Sequence, residues 1–266
     1  MTEMTIEALL RRDRVLVGSA LAVVAVAAWL YLVYLASSMS GMTDEDMSGM
    51  PGMAMLAMNM WSWVEVATLA VMWTVMMVAM MAPAAAPMIL VYAAIYRRRA
   101  EAGTLAVPTA IFVLGYLAVW AAFSVVAALV QAGLHTAALL SPAMVATSPL
   151  LTGAVLVGAG IFQWTPLKRA CLATCRSPLS FVMGSWREGR GGAFIMGIRH
   201  GLYCLGCCWA LMALLFVAGV MNLVWIATVA IAVLIEKVVP GGDAVGRVAG
   251  ALLVGAGMWV AIARIP

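Results

Sequence analysis

Long apolar runs alternate with short polar or basic stretches along most of this chain. A helix needs about 20 mostly apolar residues to cross a bilayer, and we interpret seven of the runs as helices. The predicted helices are Val15–Ala36, Trp61–Tyr96, Leu105–Gln131, Leu150–Leu167, Ala193–Ala218, Asn222–Val238 and Ala244–Ala263. The pattern therefore predicts an all-α fold, a polytopic membrane bundle of about seven helices. Within the second helix, Pro83 and Pro87 predict a kink or a break.

The basic clusters indicate how this bundle is oriented. If the seven helices cross in turn, the four clusters fall on one side of the membrane, as cytoplasmic segments do. These clusters are Arg11–Arg14, Arg97–Arg99, Lys168–Arg176 and Lys237–Arg247. We therefore predict a cytoplasmic N-terminus and an outer C-terminus, in the inner (plasma) membrane of a bacterium.

The same pattern divides the chain into four parts. Residues 1–14 form a cytoplasmic segment, 15–36 the first transmembrane helix and 37–60 an extracytoplasmic methionine-rich loop. Residues 61–266 form a six-helix membrane bundle, with a cysteine-containing cytoplasmic loop at 168–192. Within that loop the stretch Ser177–Gly192 is typical of a segment at the membrane interface.

Composition agrees with a membrane protein and excludes other classes. The chain is 66% hydrophobic and 10% charged, whereas soluble domains have about 25% charged residues. The net charge of +4 is confined to short clusters between apolar runs, so we expect no nucleic-acid partner. We find neither a nucleotide-binding motif nor a paired nucleophile and base, which argues against an ATP-driven pump and a hydrolase.

The outer loop carries regularly spaced methionines among Gly, Ser and acidic residues. The candidate ligands are Met39, Met42, Met47, Met50 and Met53. Thioether sulfur is a soft donor that selects Cu(I) over hard ions. The alternative is that these methionines are adaptable apolar filler.

Methionines continue along the second helix. Met72, Met76 and Met80 are spaced four apart, so they stack on one helical face. Glu65 lies seven residues before Met72, near the outer end of that face, and an acid within a span often faces a water-filled path. The alternatives are a packing stripe for the methionines and an interfacial acid for Glu65.

The fifth helix brings one imidazole and three thiols to a broad face. His200, Cys204 and Cys208 are spaced four apart, and Cys207 adjoins them. This set is typical of Zn(II) or Cu(I) ligation, with a further donor from elsewhere, for example Met76 or Met80. The alternatives are a Cys-x-x-Cys redox pair and cysteines buried as small apolar residues. Close helix packing is predicted at Gly197, Gly201 and Gly206.

The inner loop holds a second pair of cysteines. Cys171 and Cys175 are four apart, so one helical turn brings their thiols together. Lys168, Arg169 and Arg176 flank them and favour thiolate, which suits linear Cu(I) or a dithiol cycle. The alternative is a basic membrane anchor whose cysteines are incidental or acylated.

Four phrases resemble a bacterial family of predicted metal-binding integral membrane proteins with seven or so spans. They are WTVMMVAMMAPAAAPMILVYA, PLKRACLATCRSP, GIRHGLYCLGCCWALMALLFVAGVMN and EKVVPGG, and the similarity covers about Glu65 to Gly257. The resemblance implies the membrane fold and metal binding, without a particular activity. The residues it implicates are Met76, Met77, Met80, Met81, Cys171, Cys175, His200, Cys204, Cys207 and Cys208.

The leading interpretation is a membrane protein that binds and transfers Cu(I) through soft ligands, with zinc as a second possible metal. Its partners would be the bilayer, the metal ion and other subunits of a membrane complex or copper enzyme. One alternative is an accessory subunit of a copper-dependent membrane oxidase or monooxygenase. Another is a membrane oxidoreductase that uses the thiols or a metal centre.

Overall fold

The computed structural model describes residues 3–40, 62–99, 106–140 and 146–263. Within these ranges the chain is helical, apart from turns, loops and an isolated β-bridge between Leu140 and Ala146. In chain order the helices are α1 (Glu3–Ser40), α2 (Trp63–Arg99), α3 (Ala106–Thr136), α4 (Pro149–Phe162), α5 (Pro166–Arg176), α6 (Pro178–Gly184), α7 (Gly189–Ala213), α8 (Leu215–Ala218), α9 (Leu223–Val238) and α10 (Gly242–Ala263). The prediction of an all-α fold is confirmed.

Within the described residues, five helical stretches are long and apolar enough to cross a membrane, and a bent pair of helices raises the number to six. The five are Arg12–Ser38, Trp63–Arg99, Val107–Thr136, Gly189–Ala218 and Gly242–Ala263. The predicted count of seven is not confirmed. It would also require α9, whose 16 residues span about 24 Å, less than the ~30 Å hydrocarbon core.

The predicted fourth helix is shorter than its apolar run. It ends at Phe162, and α5 begins after Thr165 at an angle of 61° to α4. Thr165 is the N-cap of α5, and its hydroxyl accepts a hydrogen bond from the Lys168 amide. Pro166 follows as the first helical residue, where its missing N–H costs nothing. The bend turns α5 towards α7 and so carries Cys171 and Cys175 into the bundle.

The second helix shows no break at its prolines. It runs from Trp63 to Arg99 with Pro83 and Pro87 inside. Two backbone N–H groups are missing there, so two carbonyl groups lose their usual helical partners. The Tyr116 hydroxyl of α3 donates a hydrogen bond to the carbonyl of Met81, two residues before the first proline. The neighbouring helix thus supports this part of α2.

Glycine allows α3 and α7 to approach to backbone contact. A Cβ atom at Gly197 would collide with the carbonyl of Phe112, and one at Gly115 would collide with the carbonyl of Phe194. The predicted close packing at Gly197 is confirmed. Because the two helices cross so closely, the cysteine face of α7 points into the core of the bundle and not towards its surface.

Contacts between helix ends bring the basic clusters to one end of the bundle. The Arg97 guanidinium of α2 forms a two-bond ion pair with Asp13 of α1. Arg99 lies over the ring of Trp186, just before α7, and Arg176 donates to the carbonyl of Val239 beyond α9. Which side of the membrane these helix ends face stays a prediction. The outer faces of the long helices carry exposed apolar side chains, which is compatible with a membrane protein.

Candidate functional site

Sulfur side chains from three helices meet in the core of the bundle. Cys204, Cys207 and Cys208 of α7 are at most 1% exposed. Cys171 of α5 is buried and Cys175 half-buried, and all five cysteines of the chain are free thiols. From α2 come the buried side chains of Met76, Met77, Met80 and Met81. We call the five cysteines together with Met81 the sulfur cluster.

Within α7 the helical spacing sets the thiol geometry. The thiols of Cys207 and Cys208 donate to the carbonyl of Cys204, at 3.1 and 3.0 Å. These are the three- and four-residue spacings at which helical side chains share a face. The three thiols also interact with one another. The shared face that the sequence predicts is therefore present.

The two cysteine groups that the sequence predicts as separate sites, the three thiols of α7 and the pair on α5, form one cluster. The side chain of Cys175 on α5 interacts with that of Cys207 on α7. One turn earlier, the Cys171 sulfur packs against Gly206, where a Cβ atom would lie only 2.8 Å from it. Gly206 thus makes room for α5, and the bend after α4 points α5 into that space.

The thioether that touches the thiols belongs to Met81. Its sulfur accepts a hydrogen bond from the Cys208 thiol at 3.9 Å. Met76 and Met80, the partners suggested by the sequence, are buried on the same helix, whereas Met72 is partly exposed nearer its outer end. The methionine stripe therefore leads towards the sulfur cluster from that end of the bundle.

Two polar groups at the cluster were missed by sequence reasoning. The Lys237 ammonium at the end of α9 donates to the Cys204 sulfur at 2.9 Å, and this lysine is only 8% exposed. The Tyr116 hydroxyl lies 3.1 Å from the same sulfur. In the sequence, Lys237 is typical of a basic residue that flanks a span, and Tyr116 of a packing residue. No local pattern indicates that either one reaches a thiol.

The basic residues beside Cys171 and Cys175 have other partners than expected. The Lys168 ammonium is buried and donates to Glu236 of α9 at 2.6 Å, and also to the side-chain oxygen of Gln163. Arg176 donates to the backbone carbonyls of Glu236 and Val239. Our expectation that these residues surround the thiols needs correction, since the ammonium at the sulfur cluster is that of Lys237. Lys168 and Arg176 instead fasten α5 to the end of α9.

His200 lies one turn before Cys204 and is 3% exposed. Its ring stacks against Tyr116 at 5.3 Å and Phe112 at 6.2 Å, and Phe181 tilts against it at 5.7 Å. Neither ring nitrogen has a hydrogen-bond partner in the described part of the chain. A buried polar group left unpaired costs about 1–3 kcal/mol. His200 is therefore a buried imidazole with two unpaired nitrogens, one turn from Cys204.

The remaining predicted ligands are Glu65 and the five methionines predicted for the outer loop. Glu65 begins α2, and its carboxylate accepts from the amide and hydroxyl of Ser62, while its own amide donates to that hydroxyl. This reciprocal pattern is a capping box. Met39 lies in the last turn of α1. Met42, Met47, Met50 and Met53 lie outside the described residues.

The donors at the cluster are thiols and a thioether. Among the residues that the structure describes, no group of three or more His, Cys, Asp or Glu side chains could hold a metal ion. A structural zinc site, with four nitrogen or sulfur ligands around one ion, is therefore not formed. Thiol pairs and a thioether remain, which are soft donors suited to Cu(I).

A family model described as PpoB2, copper chaperone, matches residues 70–260. The chain belongs to this family. The match contains the whole sulfur cluster, together with His200 and Lys237, and it leaves out α1, the methionine loop and Glu65. No curated protein and no solved structure matches the chain.

Membership of the copper-chaperone family supports copper handling in general. It agrees with the resemblance to metal-binding membrane proteins inferred from the sequence, at the level of a metal-related bacterial family. It also separates the candidate ligands into two sets. The thiols and the α2 methionines from Met72 onwards lie in the matched region, and the loop methionines lie outside it.

Proposed function

We propose that this protein is a chaperone in the bacterial inner membrane that binds Cu(I) between thiols of α5 and α7 and passes it on by ligand exchange. The observation that carries the proposal is that α5 packs on α7 with the Cys171 sulfur against Gly206, so that Cys175 interacts with Cys207 beside the buried thiols of Cys204 and Cys208. A bundle that only needed small apolar side chains would not have to bring five thiols from two helices together.

The chemistry of the cluster suits a soft monovalent ion. Thiols bind metal as thiolates, which select Cu(I) over hard cations. The core around them is apolar and closely packed, so a bound ion would be kept from water. Cys175 is half-buried whereas Cys207 is almost fully buried. A partner could therefore exchange ligands at Cys175 while Cys207 still holds the ion.

In this proposal the methionines deliver Cu(I) to the thiol site. Five of them are buried on α2, and one of these, Met81, is in contact with Cys208. In this proposal Met39, Met42, Met47, Met50 and Met53 capture Cu(I) outside the membrane, and Met72, Met76 and Met80 lead it inwards. The donors then strengthen from thioether to thiolate along the route. A copper-dependent membrane oxidase or monooxygenase is the class of recipient that we propose.

The test is Cu(I) binding by the purified full chain in detergent, under reducing and oxygen-free conditions, against a colorimetric chelator. We expect Cys175→Ser and Cys207→Ser each to remove the tightest equivalent, and the double variant to lose no more than either single one. Cys171→Ser is the matched control, because it makes the same substitution one turn away and should retain that equivalent. Unchanged tight binding in both single variants would exclude the proposed site.

The same contact supports a second candidate, a membrane dithiol. Two neighbouring thiols on different helices could form a disulfide if an acceptor such as a quinone takes up their two electrons and two protons, and this bond would couple thiol chemistry to the packing of α5 on α7. Counting free thiols after mild oxidation distinguishes the two functions. A chaperone should be protected from oxidation by bound Cu(I), whereas a dithiol oxidoreductase should cycle between oxidised and reduced forms without metal.

A further inference from the structure

The ammonium of Lys237 is buried among thiols without a carboxylate partner. Its nitrogen lies 2.9 Å from the Cys204 sulfur, and its charge acts on the thiols of Cys204, Cys207, Cys208 and Cys175. The adjacent Glu236 pairs with Lys168 instead. In the described part of the chain no ion pair joins Lys237 to an acidic side chain.

A buried charge without a partner is costly, so this position requires an explanation. Removing an ammonium from water costs several kcal/mol unless an opposite charge compensates it. The opposite charge available here is thiolate. Metal binding releases the thiol protons and creates that charge. When the cluster binds a metal ion, the negative charge of the thiolates therefore compensates the positive charge of Lys237.

The net charge of the occupied site then distinguishes a monovalent metal ion from a divalent one. Two thiolates with one monovalent ion carry a charge of −1, which Lys237 brings to zero. The same two thiolates with a divalent ion are already neutral, and Lys237 leaves the site at +1. In a site of low dielectric constant, an unbalanced charge of this kind strongly disfavours the complex.

We propose that Lys237 is the built-in counter-cation of the site and makes it selective for monovalent soft ions, Cu(I) or Ag(I), over Zn(II). This inference rests on the proposed function and adds its selectivity. Lys237 ligates no metal in this account. It acts through its fixed charge and is a specificity-determining residue.

The surrounding structure holds this ammonium in place. Arg176 binds two carbonyls at the end of α9, and Lys168 binds the Glu236 carboxylate. Both anchors belong to α5, the helix that also carries Cys175. The counter-cation and one of the two proposed ligands are therefore positioned by the same short helix, so their separation is set by local packing.

The experiment compares Cu(I) and Zn(II) affinities of the purified full chain by chelator competition. In Lys237→Met we expect the ratio of Cu(I) to Zn(II) affinity to fall about 100-fold, the effect of one unit charge at roughly 6 Å in a medium of dielectric constant about 20. Lys237→Gln should behave in the same way, and it provides a second neutral variant if the first does not fold. Lys237→Arg should retain most of the wild-type ratio, because it keeps the charge.

The matched control is Arg247→Met, which removes an exposed basic side chain beyond the end of α9. Its affinity ratio should stay at the wild-type value. A folded neutral variant with an unchanged ratio would overturn the inference, as would a Lys237→Arg variant that loses selectivity. If the wild-type chain does not bind Cu(I) through Cys175 and Cys207, that result contradicts the proposed function. If it binds Cu(I) there but the neutral variants keep the wild-type ratio, that result contradicts only the role of Lys237.

Discussion

Gly206→Ala tests whether the packing of α5 on α7 creates the copper site. The added Cβ atom would lie 2.8 Å from the Cys171 sulfur, whereas ordinary contacts at such a position begin near 3.4 Å. The sulfur must therefore move by about 0.6 Å, and α5 is expected to move with it. Such a displacement would separate Cys175 from Cys207 without removing any donor atom.

The expected effect on stability is small, since two contributions oppose each other. Alanine is more favourable than glycine inside a helix by about 1 kcal/mol. Overpacking a core position costs typically 1–3 kcal/mol. We therefore expect a net loss of about 0–2 kcal/mol in the free energy of unfolding. The affinity for Cu(I) should fall more clearly, by about tenfold, because the separation of the two ligands changes.

The measurement combines thermal unfolding in detergent with Cu(I) competition. Gly158→Ala is the control, because nothing lies within 4 Å of a Cβ atom at that position, so it should keep its affinity and gain slightly in stability. The double variant of Gly206→Ala with Cys171→Ala removes the colliding sulfur and should recover the affinity. Wild-type affinity in Gly206→Ala, without coupling in the double-mutant cycle, would refute the idea that this contact holds the thiols together.

Three further substitutions test other parts of the account. Glu65→Ala removes the capping box and should lower the free energy of unfolding by about 1 kcal/mol, and a drop in Cu(I) stoichiometry would show that Glu65 is a ligand after all. Lys168→Met leaves Glu236 buried and unpaired and should cost about 3–5 kcal/mol, most of it recovered by adding Glu236→Gln in the same denaturation assay. His200→Phe keeps the ring stacking and removes two unpaired nitrogens, so we expect about 1 kcal/mol more stability. A clear loss of stability there would instead indicate a bound partner for the imidazole.

The positions of the long helices followed from the sequence, because apolar runs and their polar ends are local properties of the chain. The α7 face of His200, Cys204, Cys207 and Cys208 was also predictable, since a period of 3.6 residues places them together in any helix. The fourth helix was predicted five residues too long, up to Leu167 instead of Phe162. Its apolar run continues past the bend. Pro166, which begins α5, is the residue in the sequence that indicates the start of a new helix.

The assembly of the site depended on contacts between distant segments. Lys237 is 33 residues from Cys204, Tyr116 is 88 residues from it, and Met81 is 127 residues from Cys208. Small-residue contacts and bends decide which helix faces pack together. These features do not repeat along the sequence as a helical pattern does. For this reason the sequence suggested two separate cysteine sites where the structure forms one.

By itself, the sequence determined an all-helical, apolar chain with soft donors at defined positions along its helices, because composition and periodicity act over a few turns. The tertiary structure alone decided that the thiols of α5 and α7, the Met81 thioether and the Lys237 ammonium lie side by side within the bundle. That outcome depends on the 61° bend between α4 and α5 and on the space left by Gly206. Both act through packing across the bundle, where a shift of less than 1 Å separates a contact from a collision.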